Sequence, residues 1–365
     1  MSQLKVNELV AQSDPADPIN LPVAPMIEGV RYVQVSRRNF IVNGAMAISQ
    51  ENGDTDDSSG SVIYIADEWQ NSKGGTTGTV RRQRLINASD STIKLTATVG
   101  EGTFAAAAFN YGFRSNIEAQ NIAHLNGKDV TISFKARVNW TGNLAVSLYN
   151  PIGARGYTVD YPVISGDNRV EVTIPLEATT IGANNNTNGL ELIIGGQSGT
   201  NFTAALPETW QAGLTLVTAN STLWMETSGN FVEITQVQLE QGSSATPFEH
   251  LKYSKYLAEC QRYFQKYFGY ATRRWVGFMN STVNCYLTSA IPTMRDDPII
   301  SSSGAFQLVM AGTDIAITSL TATSSRDDMV MLVVTVSSGL TAGLGCILTT
   351  TSASDSNYIT LDARL

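Results

Sequence analysis

The chain has 365 residues, more than one hydrophobic core usually organises, so two domains are expected. Charged residues make up 15 % and hydrophobic residues 42 %, a balance that excludes a disordered chain. The net charge of −8 argues against a nucleic-acid partner, because phosphate binding takes clustered Lys and Arg.

Residues 1–37 hold no stable period, and Asp14-Pro15-Ala16-Asp17-Pro18 and Leu21-Pro22-Val23-Ala24-Pro25 impose extended or turning backbone. Leu4, Val6, Leu9 and Val10 suit an arm laid on another surface, with a frayed tail as the alternative. The arm carries no secretory signal pattern, and no apolar run reaches membrane-spanning length, so assembly in the cytoplasm is expected.

A first domain over 38–250 opens at Arg38-Asn39-Phe40-Ile41-Val42-Asn43-Gly44. Strands are expected over 61–66, 92–99, 105–111, 130–138, 143–149, 170–175, 189–194 and 222–226, separated by Gly, Asn, Asp and Pro clusters. Eight or more short strands at this spacing suit a two-sheet jelly roll. The alternating runs 130–138 and 143–149, joined at Thr141-Gly142-Asn143, read as a hairpin. A turn of helix is expected over 118–125, with His124 on it, and the asparagine-rich stretch 183–188 reads as a loop.

The stretch from Phe231 to Gly269 changes period. Val232, Ile234, Val237 and Leu239 alternate with polar residues, and Gln236 breaks the alternation as a bulge would. Tyr253, Tyr256, Leu257, Cys260, Tyr263, Phe264, Tyr267 and Phe268 then recur at helical steps, which predicts a helix core over 254–268 within a linking segment 251–269. Thr246-Pro247-Phe248-Glu249 has capping-box chemistry, Ser254 is a competing cap, and Gly269 suits the left-handed stop. The aromatic face either packs around a three-fold axis or fills the space between domains.

Residues 270–365 return to strand patterns: 275–279, 282–289, 299–301, 306–310, 314–318, 320–323, 329–335, 345–350 and 358–363. They predict a smaller C-terminal β-sandwich. The fold class is therefore mainly β: an extended N-terminal arm, a jelly-roll sandwich, a short linking helix and a second sandwich.

Chemistry is sparse. Cys260, Cys285 and Cys346 are too few and scattered for a disulfide framework, and Cys260 reads as a small buried apolar residue. His124 and His250 stand in no zinc spacing, and no nucleophile-elbow motif is present. Asp54, Asp56 and Asp57, among Gly and Ser, suit an acidic loop better than an acid/base pair, and Asp67-Glu68 is a second carboxylate pair. The basic runs Arg81-Arg82-Gln83-Arg84 and Arg273-Arg274-Trp275 read as solvated faces. No catalytic residues are assigned. Glycan binding needs a shallow surface with aromatic platforms and hydrogen-bonding groups. Tyr157, Asp160 and Tyr161 are the first candidates, followed by Trp69, Trp140 and Trp210.

The run VEITQVQLEQGSSATPFEHLKYSKYLAECQRYFQKY, residues 232–267, resembles a segment of bacteriophage virion fibre and receptor-binding proteins. There a carbohydrate-binding-module-like jelly roll ends in a "QLE-G-ATPFE" strand and turn, followed by a "CQRY[FY]" helix. Asn39 to Gly44 resembles the "N-[FL]-[IL]-x-N-G" first strand of the same domains, and MSQLKVNEL resembles openings of marine and cyanobacterial phage structural proteins. Ile291 to Pro298 resembles their "P-x-x-M-R-x-x-P" loop, and Asn357 to Ala363 their closing strand. The resemblance implies a virion protein of tail-fibre or receptor-binding type, assembled in the host cytoplasm. It further implies a homotrimer that binds other virion proteins through its N-terminal arm and recognises host glycan without catalysis. A capsid decoration or head-fibre protein, and a glycan hydrolase, are the alternatives. Asn39–Asn43 would lie beside 232–240, with room for a structural calcium for which Glu240 is the candidate ligand and a surface acid the alternative.

Overall fold

A computed structural model describes residues 38–58, 62–86, 91–178, 185–268, 275–352, 354 and 356–365, with two short strands at 26–27 and 30–31. Residues 39–365 form one compact unit, separate from 1–38. Leu4, Val6, Leu9 and Val10 of the expected arm, the run Arg273-Arg274 and the helix stop Gly269 lie outside the described residues.

The first domain is built on Val62–Ala66 (β1), Trp69–Gly74 (β2), Thr79–Ile86 (β3), Ser91–Val99 (β4), Phe109–Asn110 (β5) and Phe113–Glu118 (β6). A short helix Ala119–Ile122 (α1) and a 3₁₀ turn follow, with His124 on the turn. The domain continues with Asp129–Val138 (β7), Gly142–Asn150 (β8), Arg155–Val163 (β9), Gly166–Pro175 (β10), Asn188–Ile194 (β11), Gln197–Ser198 (β12), Gln211–Ala212 (β13) and Phe231–Gln241 (β14). The smaller sheet runs β10-β7-β14-β4-β3, and the larger runs β12-β5-β2-β6-β11-β8-β9-β13 with β1 paired to β2. Successive strands pass back and forth between the sheets, which makes a jelly roll. Val130, Ile132 and Phe134 of one sheet and Leu144, Val146, Leu190 and Leu192 of the other close the core.

The expected hairpin does not form. β7 pairs with β10 and β14, while β8 pairs with β9 and β11, so the turn at Thr141 carries the chain from one sheet to the other. Both strands bury one apolar face against the same core, and alternation alone does not say whether two such faces lie side by side or opposed. Thr222 to Glu226 also departs from a strand: Trp224–Glu226 is a 3₁₀ turn that buries Trp224 and Met225.

The bulge at Gln236 is present, with φ +53° and a register shift between Thr235 and Gln238. The opening segment docks onto it. Asn39 donates through Nδ2 to the Val237 carbonyl at 2.9 Å and accepts from the Leu239 amide at 3.1 Å. Gly44 accepts from the Val237 amide at 2.9 Å, and a Cβ there would lie 2.1 Å from the Val237 oxygen, so only glycine fits. Asn43 bonds the carbonyls of Ile48 and Asp67 and the amide of Ile48.

Thr246 to Glu249 cap no helix. Glu240 accepts from the Thr246 amide and hydroxyl at 2.8 and 2.7 Å, and Glu249 accepts from the Asn39 amide at 3.0 Å. The helix begins six residues after Pro247, at Tyr253–Gln261 (α2), with no side-chain cap. It is also shorter than predicted: Phe264–Phe268 (β15) is a strand paired with Tyr358–Asp362 (β23). Phe264, Tyr267 and Phe268 are aromatic residues that suit a strand as well as a helix, and β23 supplies the backbone partners that settle it. Tyr256, Cys260 and Tyr263 pack with Val42 and Ile48 of the jelly roll, while Tyr253 is 65 % exposed.

Beyond β15 come Trp275–Met279 (β16), Asn284–Ala290 (β17), Ile299–Ser303 (β18), Phe306–Met310 (β19), Thr313–Arg326 (β20), Met329–Val336 (β21) and Gly345–Thr350 (β22). The C-terminal domain is β as expected, but its main sheet closes as a barrel, β16-β17-β21-β20-β19-β22, and β15-β23-β18 forms a small sheet beside it. Closure follows from β20, one bulged strand where two were expected, long enough to pair with both β19 and β21. Cys285 and Cys346 meet as a disulfide across a sequence separation of 61, correcting the expectation of unlinked thiols. They lie on β17 and β22, which flank β16, a neighbour relation that spacing along the chain does not reveal.

Buried charge joins the barrel to the jelly roll. Glu118 is fully buried and accepts two bonds from Arg262, at 2.8 and 3.0 Å. Arg295, in the Ile291–Pro298 loop, donates to the carbonyls of Asn186 and Ala363 at 2.8 and 2.6 Å. Arg364 pairs with Glu51 and Asp362. Nearby Glu68, in the turn between β1 and β2, has its carboxyl pushed up to about 8 by burial, with Arg364 pulling against the rise and Asp67 adding to it.

These charges set two stability effects. Arg262→Ala leaves the buried Glu118 carboxylate without its counter-charge, with the Gln120 amide still donating to it, and is expected to cost about 3 kcal/mol. Denaturant unfolding checks this, and a loss below about 1 kcal/mol would mean that solvent replaces the guanidinium. Glu68 loses its proton near the ordinary value in the unfolded chain and near 8 in the folded chain, so its stabilising contribution is complete at acid pH and disappears as pH rises through 8. Glu68→Gln should therefore melt higher than the parent above pH 8 and lose that advantage at about pH 4. Parallel melting curves against pH for the two proteins would contradict the assignment.

Candidate functional site

Strand geometry separates the first-ranked candidates. Tyr157 and Tyr161 of β9 are four residues apart and face inward, Tyr157 at 6 % exposure beside Trp210 and Tyr161 packed against the core. Asp160, between them, faces outward and is held by the hydroxyls of Thr218 and Ser221. The three do not converge. Trp69 is fully buried, and Trp140 and Trp210 are 8 % exposed. Their indole N–H groups donate to the carbonyls of Asn43, Phe231 and Pro175. These side chains hold the sandwich together and present no stacking face. A large side chain framed by polar residues looks like a platform in a sequence, but a two-sheet core needs its aromatics more often than a ligand does.

Glu240 is 3 % exposed, so it is not a surface acid. Both its oxygens accept from Gln238 and Thr246, a set of donors that does not suit calcium, which needs several oxygen ligands. Among the described residues no group of three or more His, Cys, Asp or Glu side chains is placed to hold a metal. Asp54 and Asp56 pair with Arg84 and Arg81, while Arg82 and Arg84 are buried, which corrects the solvated-face reading of that run. His124 and His250 lie against the rings of Phe40 and Phe248.

The outer face of the larger sheet carries a different constellation. Register aligns Tyr149 of β8, Glu191 of β11 and Asn116 of β6 in one row, with Arg114 beside them opposite Ile193. Arg114 pairs with Glu191 at 2.5 Å, and Asn188 donates to the same Glu191 oxygen at 2.9 Å. The Tyr111 ring centroid lies 5.0 Å from the Arg114 guanidinium carbon, a cation–π distance, and Phe109 packs edge-on to Tyr111. Two walls border this face. On one side Leu216 and Val217 cover Ala145 and Ile193, and Thr215 bonds Thr158. On the other Asn116 donates to the Leu365 carbonyl at 2.7 Å.

Within this groove three polar atoms reach no protein partner: Arg114 Nε, Asn116 Oδ1 and Asn188 Oδ1. Buried polar groups are nearly always bonded, and these three lack a partner among the described residues. Burial pushes the Glu191 carboxyl up, although Arg114 opposes the rise. Burial likewise raises the Tyr111 and Tyr149 hydroxyls, so both remain neutral donors. Sequence reasoning missed the groove. A signal existed at Tyr149, which falls on the outward phase of a strand whose Leu144, Val146 and Leu148 point inward.

No protein-family model and no curated protein matches the chain. Solved structures similar to it include one described as "CBM4 structure and function", at 13 % identity over 55 % of this chain and 99 % of that one, TM-score 0.31. The CBM22-1 xylan-binding domain of Paenibacillus barcinonensis Xyn10C is similar at 10 % identity over 52 % and 95 %, TM-score 0.27. The family 11 carbohydrate-binding module of Clostridium thermocellum Lic26A-Cel5E is similar at 11 % identity over 53 % and 98 %, TM-score 0.27. Scores of this size transfer no ligand, and the functional case rests on the groove.

The burial of the tryptophans has a direct consequence. Trp69→Ala should destabilise the chain by about 3–5 kcal/mol. Calorimetric melting checks it; unchanged melting with loss of glycan binding would restore Trp69 as a ligand contact.

Proposed function

We propose that the chain is a non-catalytic glycan-recognition protein of a bacteriophage virion, of tail-fibre or receptor-binding type, with its ligand seated on the outer face of the larger jelly-roll sheet. The observation that carries glycan recognition is the row of Tyr149, Glu191 and Asn116 on the outer face of the larger sheet, with Arg114 and Tyr111 beside it. Sugar hydroxyls donate and accept at once, which suits a row of guanidinium, amide, carboxylate and phenol groups. The tyrosine rings supply flat apolar surface for the C–H faces of a sugar.

Binding without hydrolysis is supported by the carboxylates. Glycoside hydrolysis uses a pair flanking the scissile bond. Glu191 is tied to Arg114, and Glu118 on the same strand as Asn116 is fully buried beneath Arg262. The virion setting is supported by the resemblance of residues 232–267, as are a homotrimeric assembly and docking of residues 1–37 on neighbouring virion proteins.

A glycan array probed with the purified chain tests the binding, and imaging of labelled virions tests the location. Tyr149→Ala is expected to weaken the array signal about tenfold, a change of about 1.4 kcal/mol, with folding intact. Parent-like binding by the variant would remove the groove from consideration, and label on the head would replace receptor recognition with capsid decoration.

A further inference from the structure

The small sheet β15-β23-β18 has two faces. Ile359 and Leu361 of β23 enter the barrel core. On the other face, register sets Ile299, Asp362 and Phe264 in one row, Ser301, Thr360 and Lys266 in the next, and Ser303 with Tyr358 in the third. Glu51 and Asn52 of the jelly roll stand over these rows. Between them lies a cavity of about 390 Å³, within the range that holds small ligands.

Its charges are balanced by the protein itself. Arg364 pairs with Glu51 and Asp362, both at 2.5 Å, and its guanidinium carbon lies 3.7 Å from the Tyr64 ring centroid and 4.3 Å from that of Phe264. Lys266 donates to the Glu51 carbonyl at 2.7 Å and sits 4.4 Å from the Tyr358 ring centroid. An anionic ligand would face Glu51 and Asp362, and a cationic one would face Lys266 and Arg364. Either would have to disturb pairs that join the two domains, at a cost typical of broken, partly buried ion pairs.

The remaining lining is hydroxyl and apolar apart from Asn52, whose amide donates to the Tyr64 carbonyl at 2.7 Å. The side chains of Ser301 and Ser303 bond no protein group among the described residues, and each hydroxyl can donate one hydrogen bond and accept two. Ile299, 73 % exposed, offers apolar surface at the rim.

We propose that this cavity is a second binding site, for a neutral polyhydroxylated ligand of mono- to disaccharide size. Ser301 and Ser303 exchange hydrogen bonds with its hydroxyls, and Ile299 covers a C–H face. The cavity is separate from the groove of the larger sheet, shares no residue with it, and stands whether or not the groove binds glycan.

The test uses the full chain carrying Arg114→Ala and Tyr149→Ala, so that the groove is disabled. Maltose, lactose and cellobiose are titrated calorimetrically, with glucuronate and glucosamine as charged counterparts. At least one neutral sugar is expected to bind in this background, more tightly than either charged one. Adding Ser301→Trp, which fills the cavity from the strand at the sheet's edge, should weaken that binding at least about tenfold. Absence of binding by all three neutral sugars, preference for a charged one, or indifference to Ser301→Trp would each overturn the proposal. If Ser301→Trp fails to fold, crystals of the parent chain soaked in the binding sugar decide: density in the cavity upholds the site, and density only elsewhere refutes it.

Discussion

The bulge at Gln236 is the constraint on which the first domain depends. One extra residue in the closing strand shifts its register between Thr235 and Gln238, and pairing with β4 ends at Ile234, which leaves the amides and carbonyls of Val237 and Leu239 for another partner. Those groups are then met by Asn39, Phe40 and Gly44 of the opening segment, and Glu249 returns from beyond the strand to accept the Asn39 amide. First and last segments of the jelly roll are thus closed on each other by backbone groups that would otherwise be buried without partners. The motif-like spacing of Asn39, Asn43, Gly44, Gln238, Glu240, Thr246 and Glu249 has this closure as its physical content.

The same closure positions the linking helix and the barrel beyond it. α2 packs Tyr256 and Cys260 on Val42 and Ile48, joined by Tyr263 just past its end, and so brings Arg262 to Glu118 and β15 to β23. Arg295 and Arg364 then tie barrel to jelly roll through backbone carbonyls and carboxylates. Tyr256, Tyr263 and Phe264 of the linking segment are buried inside the chain, while the ring of Tyr253 is exposed. Cohesion therefore combines this apolar cluster with ion pairs, and Glu68, whose carboxyl is raised by burial among these charges, makes it sensitive to pH.

The fold was more legible than the site, for a reason seen in particular residues. Alternation in 130–138 and 143–149 located β7 and β8 within a residue or two, because the side-chain period of a strand is local. It also contained the bulge, since Gln236 falls where an apolar residue belongs. Trp69, Tyr157 and Trp210 were misread as platforms because residue type does not say which side of a sheet a side chain takes. The groove residues Tyr111, Arg114, Asn116, Tyr149 and Glu191 come from three separate stretches, each ordinary by itself.

The sequence by itself determined the elements: mainly strands, one helix start and the bulge, all set by local period and composition. Tertiary structure alone decided which elements meet. Whether β7 and β8 pair or oppose, whether Phe264 to Phe268 coil or extend, and whether Cys285 finds Cys346 depend on partners tens to hundreds of residues away. Those choices are made by backbone groups seeking hydrogen bonds and apolar faces seeking a shared core, and neither leaves a mark on local sequence.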